Sequence, residues 1–216
     1  MAKRALIAGA TGLVGSYLLK LLLEDEGYAK VIAVTRRPLE ITRDRLENMV
    51  TDFDRLDKVA AQLTTDDVFC CLGTTIRKAG SQANFRKVDF DYPVKLARLT
   101  HQQGAKKLLL VSALGADASS RIFYNRVKGE TEQAICKTGF EAVHIFRPSL
   151  LLGPRNEQRA AEDAAKCFYK IFNRLIPLRY KAIHAHTVAR AMLHYAHDPA
   201  TGVFVHESQE MQSFGL

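Results

Sequence analysis

Apolar positions along the chain alternate between two periods. Short runs of β-branched and aliphatic residues, at 5–8, 30–35, 67–71, 107–112 and 142–146, read as strands buried on both faces. Between them, apolar residues recur every three or four positions. The stretch 13–26 shows this with Leu13, Tyr17, Leu18, Leu21 and Leu22, and Gly27 ends it. The same spacing predicts helices over 56–63, 84–103, 121–137, 157–175 and 187–197. A third short strand is expected over 46–53 and a final one over 203–205. Strands alternating with helices predict an α/β fold built on a doubly wound parallel sheet of Rossmann type. The chain reads as one dinucleotide-binding domain over 1–216, with 153–216 adding a small substrate-side extension.

The first strand runs straight into Gly9-Ala10-Thr11-Gly12-Leu13-Val14-Gly15. A glycine-rich turn between a strand and a helix brings backbone amides and the positive end of the helix dipole to one place, which suits a phosphate. Gly9 serves the sharp turn, Gly12 the close approach of the backbone to pyrophosphate, and Gly15 the packing of helix on strand. The spacing G-x-x-G-x-x-G is a variant of the usual dinucleotide fingerprint.

Cofactor choice is read after the second strand. A site for NAD carries an acidic residue there for the ribose hydroxyls. This chain has Thr35-Arg36-Arg37-Pro38 instead, and two guanidiniums suit the 2′-phosphate of NADP(H). Asp52 and Phe53 are placed to border the adenine. Leu72, Gly73 and Thr74 leave the fourth strand beside the first, at the switch point where ligands bind in such sheets.

The 216 residues are 47% hydrophobic and 25% charged, which is ordinary for a globular domain. The net charge of +8 raises nucleic acid as a partner. Lys and Arg are spread along the chain among Asp and Glu, without an aromatic-interleaved basic motif, so an anionic cofactor is the preferred account. No apolar run is long enough for a membrane span, and with the first strand so near Met1 a cytoplasmic protein is expected. Cys70, Cys71, Cys136 and Cys167 show no ligand spacing, and His194 with His197 lacks a completing set, so no metal is expected. His184, ahead of the last helix, is a candidate border of the substrate pocket.

Chemistry gathers on Ser112, Tyr124 and Lys128. Ser112 closes the fifth strand at the ligand edge. Tyr124 and Lys128 are four apart on the next helix and share a face. A phenol titrates near about 10, and a neighbouring ammonium lowers that toward a useful acid–base range. Ser112 is expected to orient a carbonyl, Tyr124 to transfer the proton, and Lys128 to hold the ribose as well.

The glycine turn, Ser112 and Tyr124-x-x-x-Lys128 resemble the short-chain dehydrogenase/reductase superfamily. Phe69-Cys-Cys-Leu-Gly-Thr-Thr75, Lys78-Ala-Gly80, Gly115-Ala-Asp117, Val127-Lys-Gly-Glu130 and Phe146-Arg-Pro148 are similar to its atypical branch with the Tat-interacting, metastasis-suppressor-like oxidoreductases. The resemblance implies a Rossmann domain binding NADP(H), with Arg147 and Pro148 near the cofactor, a tyrosine acid–base and a helper lysine. Long helices in that superfamily commonly pair subunits, which makes a homodimer one expectation and leaves the oligomeric state open. The superfamily often adds an asparagine on the long helix, where this chain has Asp89. Three activities fit: reduction of a small carbonyl substrate, epimerase-like chemistry with retained nicotinamide, and non-catalytic sensing of NADP(H).

Overall fold

The computed structural model describes residues 2–153 and 177–215. Seven parallel strands form the main sheet: β1 (Lys3–Ala8), β2 (Tyr28–Thr35), β3 (Leu46–Val50), β4 (Asp67–Cys70), β5 (Lys107–Val111), β6 (Ala142–Arg147) and β9 (Gly202–Glu207), in the order β3-β2-β1-β4-β5-β6-β9. Two further strands, β7 (Leu151–Leu152) and β8 (Ile183–His184), pair separately. The direction of winding reverses between β1 and β4, which opens a crevice at their carboxyl ends.

Period-two alternation divides the core. Ala5 and Ile7 of β1 face α1 (Leu13–Glu24) and α6 (Ala185–Ala196), packing with Leu18, Leu22, Val188 and Met192. Leu6 and Ala8 point the other way, toward Phe53, Leu56, Leu96 and Ile135. That second layer comprises a 3₁₀ segment (Phe53–Gln62), α4 (Tyr92–Gln102) and α5 (Phe123–Cys136). Because both faces are covered, the strands need no polar alternation.

Several expectations shift. The third strand stops at Val50, because the Asp52 carboxylate accepts the Asp54 amide at 3.0 Å and starts the 3₁₀ segment instead. The expected helix over 84–103 is three joined pieces: α3 (Gln82–Arg86), a wide π turn (Lys87–Asp91) and α4. Pro93 explains the change, since its nitrogen has no hydrogen to give the carbonyl of Asp89 four residues back. That carbonyl accepts the Thr131 hydroxyl of α5 at 2.8 Å instead. A one-turn helix, α2 (Ile76–Ala79), was not expected; Thr75 caps it, with its hydroxyl oxygen 3.2 Å from the Lys78 amide. The helix expected over 157–175 lies outside the described residues. Beyond them, α6 and β9 join the main body, while α7 (Ser208–Met211) follows the edge strand.

Candidate functional site

The turn after β1 is held by its own backbone. The Gly12 amide donates to the Gly9 carbonyl at 2.9 Å, and the Cys71 amide to the Ala8 carbonyl at 2.8 Å. Gly9 sits at φ +86°, and a Cβ there would lie 2.4 Å from the Cys71 carbonyl oxygen. A Cβ on Gly15 would lie 2.1 Å from the Gly9 carbonyl oxygen, so α1 enters at a distance only glycine allows. Ala10 and Val14 anchor the turn in the core, whereas Thr11 is exposed and Gly12 and Leu13 are half-buried. The amino end of α1 is thus only partly covered at the turn.

Arg36 and Arg37 are exposed just past β2, and among the described residues neither makes an ion pair. Their loop is fixed beneath them: the Thr35 hydroxyl donates to the Arg37 carbonyl at 2.8 Å, and the Asn48 amide nitrogen donates to that hydroxyl at 2.8 Å. Asp52 lies on the neighbouring loop, tied by the Thr51 amide to the Thr35 carbonyl at 2.9 Å. Phe53 is buried in the core below.

Across the crevice, Leu72, Gly73 and Thr74 leave β4. Gly73 is exposed, and a Cβ on it would stand 3.5 Å from Asp89 Oδ1 and 3.7 Å from Lys128 Nζ. The Thr74 amide donates to Asp89 Oδ2 at 2.8 Å. Lys128 Nζ lies 2.8 Å from Asp89 Oδ1, with the two side chains 8% and 0% exposed. Burial works against the ammonium, but Asp89 and then Tyr124 outweigh it, and the lysine pKa is raised. Tyr124, half-buried one turn earlier on α5, rests on Phe85 with ring centroids 5.5 Å apart.

Ser112 is placed differently from the expected carbonyl-orienting role. It is 5% exposed, and its hydroxyl donates to Glu132 Oε1. Glu132 follows Tyr124 and Lys128 at the same four-residue spacing, on the same face of α5. Arg147 closes on the Glu132 carboxylate through Nε at 3.1 Å and Nη2 at 2.6 Å, and reaches Glu207 at 3.4 Å. The guanidinium expected beside the cofactor is therefore engaged inside the fold. Pro148 is buried, with its carbonyl accepting the Leu114 amide at 2.9 Å. Glu132 and Thr131 did not stand out in the sequence, and Gly129 did so only as part of the run Val127–Glu130. A Cβ on Gly129 would lie 2.1 Å from the Ala118 nitrogen, so α5 presses directly on the loop after β5.

Among the described residues no group of three His, Cys, Asp or Glu is arranged to hold a metal. His197 binds Asp25 at 2.9 Å, and His184 is exposed beside His186, with ring centroids 5.3 Å apart. No helix among the described residues is long and apolar enough to cross a membrane.

Known proteins resemble this chain at two levels. HTATIP2 of Rattus norvegicus is 39% identical over 204 residues, covering 93% of this chain and 84% of the relative. FMP52 of Debaryomyces hansenii, named as mitochondrial, is 35% identical over 204 residues, covering 91% and 89%. The Aspergillus fumigatus fmp52, also named mitochondrial, is 39% identical over 173 residues, covering 77% and 74%. These names overturn the cytoplasmic expectation, which rested on the lack of a long apolar run and on a first strand close to Met1, features that bear on membrane spans and secretory signals and not on a mitochondrial address. In fold, the UDP-glucose 4-epimerase of Thermotoga maritima superposes with TM-score 0.71 at 18% identity, over 98% of this chain and 80% of that one. MoeE5 in complex with UDP-glucose and NAD gives 0.71 at 19%, over 94% and 74%. A profile of the NAD dependent epimerase/dehydratase family matches residues 5–203, from the first strand through the start of the last. With the parallel sheet, the glycine turn and this match in agreement, the chain belongs to the NAD dependent epimerase/dehydratase family.

Proposed function

We propose that the protein is an NADP(H)-dependent oxidoreductase that reduces a small carbonyl compound. The observation that carries this reading is the placement of Tyr124 and the buried Lys128 on one face of α5, with Gly73 left bare beside Lys128 Nζ. The turn of Gly9, Gly12 and Gly15 would hold the pyrophosphate, and the exposed Arg36 and Arg37 the 2′-phosphate. The bare face of Gly73 and the Lys128 ammonium would meet the nicotinamide ribose. Nicotinamide, when bound, supplies the hydride. Tyr124 would give its phenolic proton to the carbonyl oxygen as charge develops there. Lys128 would hold the ribose. Ser112, its hydroxyl committed to Glu132, sets the height of α5 against β5.

A second reading, sensing of NADP(H) without turnover, draws support from that same commitment, because Ser112 has no proton to offer a substrate. Turnover separates the two. NADPH binding is measured by quenching of its fluorescence, followed by a panel of aldehydes, ketones and quinones. Consumption of NADPH by wild type that is lost in Tyr124→Phe supports the reductase. Tight binding with no consumption across the panel supports the sensor.

A further inference from the structure

We propose that Asp89 is a positioning residue that fixes Lys128 as an ammonium and ties it to the exit loop of β4. This deepens the proposed function and rests on it only for the identity of the ligand that Lys128 meets. A lysine amine that is nearly out of water loses its charge unless something repays the lost hydration. Three titratable groups face Lys128 Nζ: Asp89 from the π turn, Tyr124 from its own helix and Cys70 from β4. Of these, the Asp89 carboxylate is the one that forms an ion pair with it among the described residues, with Oδ1 2.8 Å from Nζ.

The carboxylate is itself over-determined. Its second oxygen accepts the Thr74 amide at 2.8 Å, and the residue's carbonyl accepts Thr131 of α5 at 2.8 Å. The wide turn ahead of Pro93 sets Asp89 so that three elements meet on it. Lys128 is thereby held in place and in charge state before any ligand arrives. The loop that carries Gly73 and Thr74 is fastened to the same carboxylate, so cofactor loop and lysine move together.

The test reads the lysine directly. In protein labelled with ¹³C at lysine Cε, the Lys128 resonance is assigned by its loss in Lys128→Met and followed against pH in wild type and Asp89→Asn. The asparagine keeps the shape and an oxygen for the Thr74 amide, and removes the charge. Wild-type Lys128 should stay protonated through pH 10, whereas in Asp89→Asn it should titrate at least about two pH units lower, within the range known for buried lysines. NADPH affinity of Asp89→Asn should then fall above the new lysine pKa, up to about tenfold per pH unit, while wild type shows no such break. An unchanged Lys128 titration in Asp89→Asn overturns the proposal. If the stranded ammonium keeps that variant from folding, Asp89→Asn/Lys128→Met should fold, since it buries no unpaired charge. Failure of the double variant to recover also overturns it. Absence of NADPH binding in wild type would defeat the proposed function and leave the lysine titration intact.

Discussion

Ser112 donates its hydroxyl hydrogen bond to the buried carboxylate of Glu132, and Arg147 closes on the same group with Nη2 at 2.6 Å. A guanidinium only donates and a carboxylate only accepts, so the serine proton has one place to go. Ser112→Ala should therefore lower stability by about 1 kcal/mol and turnover far less than loss of Tyr124 does. Glu132→Ala leaves the half-buried Arg147 only its longer contact with Glu207, and removes the acceptor of Ser112, so it should cost upwards of about 2 kcal/mol. Urea unfolding of both variants checks the ranking.

Tyr124→Phe keeps the ring against Phe85 and leaves Lys128 paired with Asp89. NADPH affinity should change little. Carbonyl reduction should drop by about 10²–10⁴, the usual worth of a positioned acid. Single-turnover kinetics with a reducible substrate decides it; equal rates in variant and wild type would remove Tyr124 from the chemistry.

Arg36→Ala and Arg37→Ala should each weaken NADPH by roughly 1.5–3 kcal/mol and spare NADH, because each guanidinium lies exposed and, among the described residues, has no ion pair to give up. Parallel titrations with both cofactors show whether the loss is selective. A uniform loss would place the 2′-phosphate elsewhere.

The glycine turn discriminates between its own members. Gly15→Ala forces a Cβ to within 2.1 Å of the Gly9 carbonyl oxygen, so the turn must move. Stability should fall by about 1–3 kcal/mol, as for other overpacked sites, and cofactor binding should fall with it. A Cβ on Gly12 would stand 3.1 Å from the same oxygen, a much milder approach, so Gly12→Val should fold and, by filling the place proposed for the pyrophosphate, fail to bind. Thermal melts with and without NADPH separate the two effects.

Acid should loosen the far edge of the sheet. His144 Nδ1 lies 3.0 Å from His206 Nε2, and His206 Nδ1 lies 2.8 Å from Glu210. Burial, then the facing His206 and Lys107, push His144 down to about 4. With the folded pKa below the ordinary value of about 6.5, the unfolded chain binds more protons in between. The stabilisation is thus complete above about pH 6.5 and lost as pH falls toward 4. His144→Phe should flatten that acid slope by up to about 1.4 kcal/mol per pH unit, read from urea midpoints at several pH values.

Much of the scaffold was legible because neighbouring residues specify it. The run from Ala5 to Gly15 contains strand, turn and helix entry in order, and the structure adds only the distances. The site was less legible where its partners come from far along the chain. Nothing near Ser112 announces Glu132, twenty residues on, until β5 and α5 pack together. The pair Tyr124 and Lys128 was visible as a spacing, but spacing did not show that Glu132, one step further along the same row, turns into the core. The long helix over 84–103 misled for a local reason: apolar periodicity passes smoothly through Pro93, while the hydrogen-bond ladder does not. Compartment is an address and not a property of the fold, so hydropathy carried no information about it.

The all-parallel sheet also constrains how the chain finds its structure. Parallel neighbours cannot be joined by a tight hairpin, so every pairing waits for a crossover. The Arg4 amide meets Asp66 at a separation of 62 residues, and Lys107 Nζ reaches the Ala196 carbonyl across 89. Contacts this remote in sequence cost loop entropy before they return anything, which puts folding on the slow side, in milliseconds to seconds. The interior strand β1 is completed on one side by β2 after a short excursion and on the other only by β4. A half-built sheet therefore leaves the apolar edge of β1 unpaired beside the crevice proposed for the nucleotide.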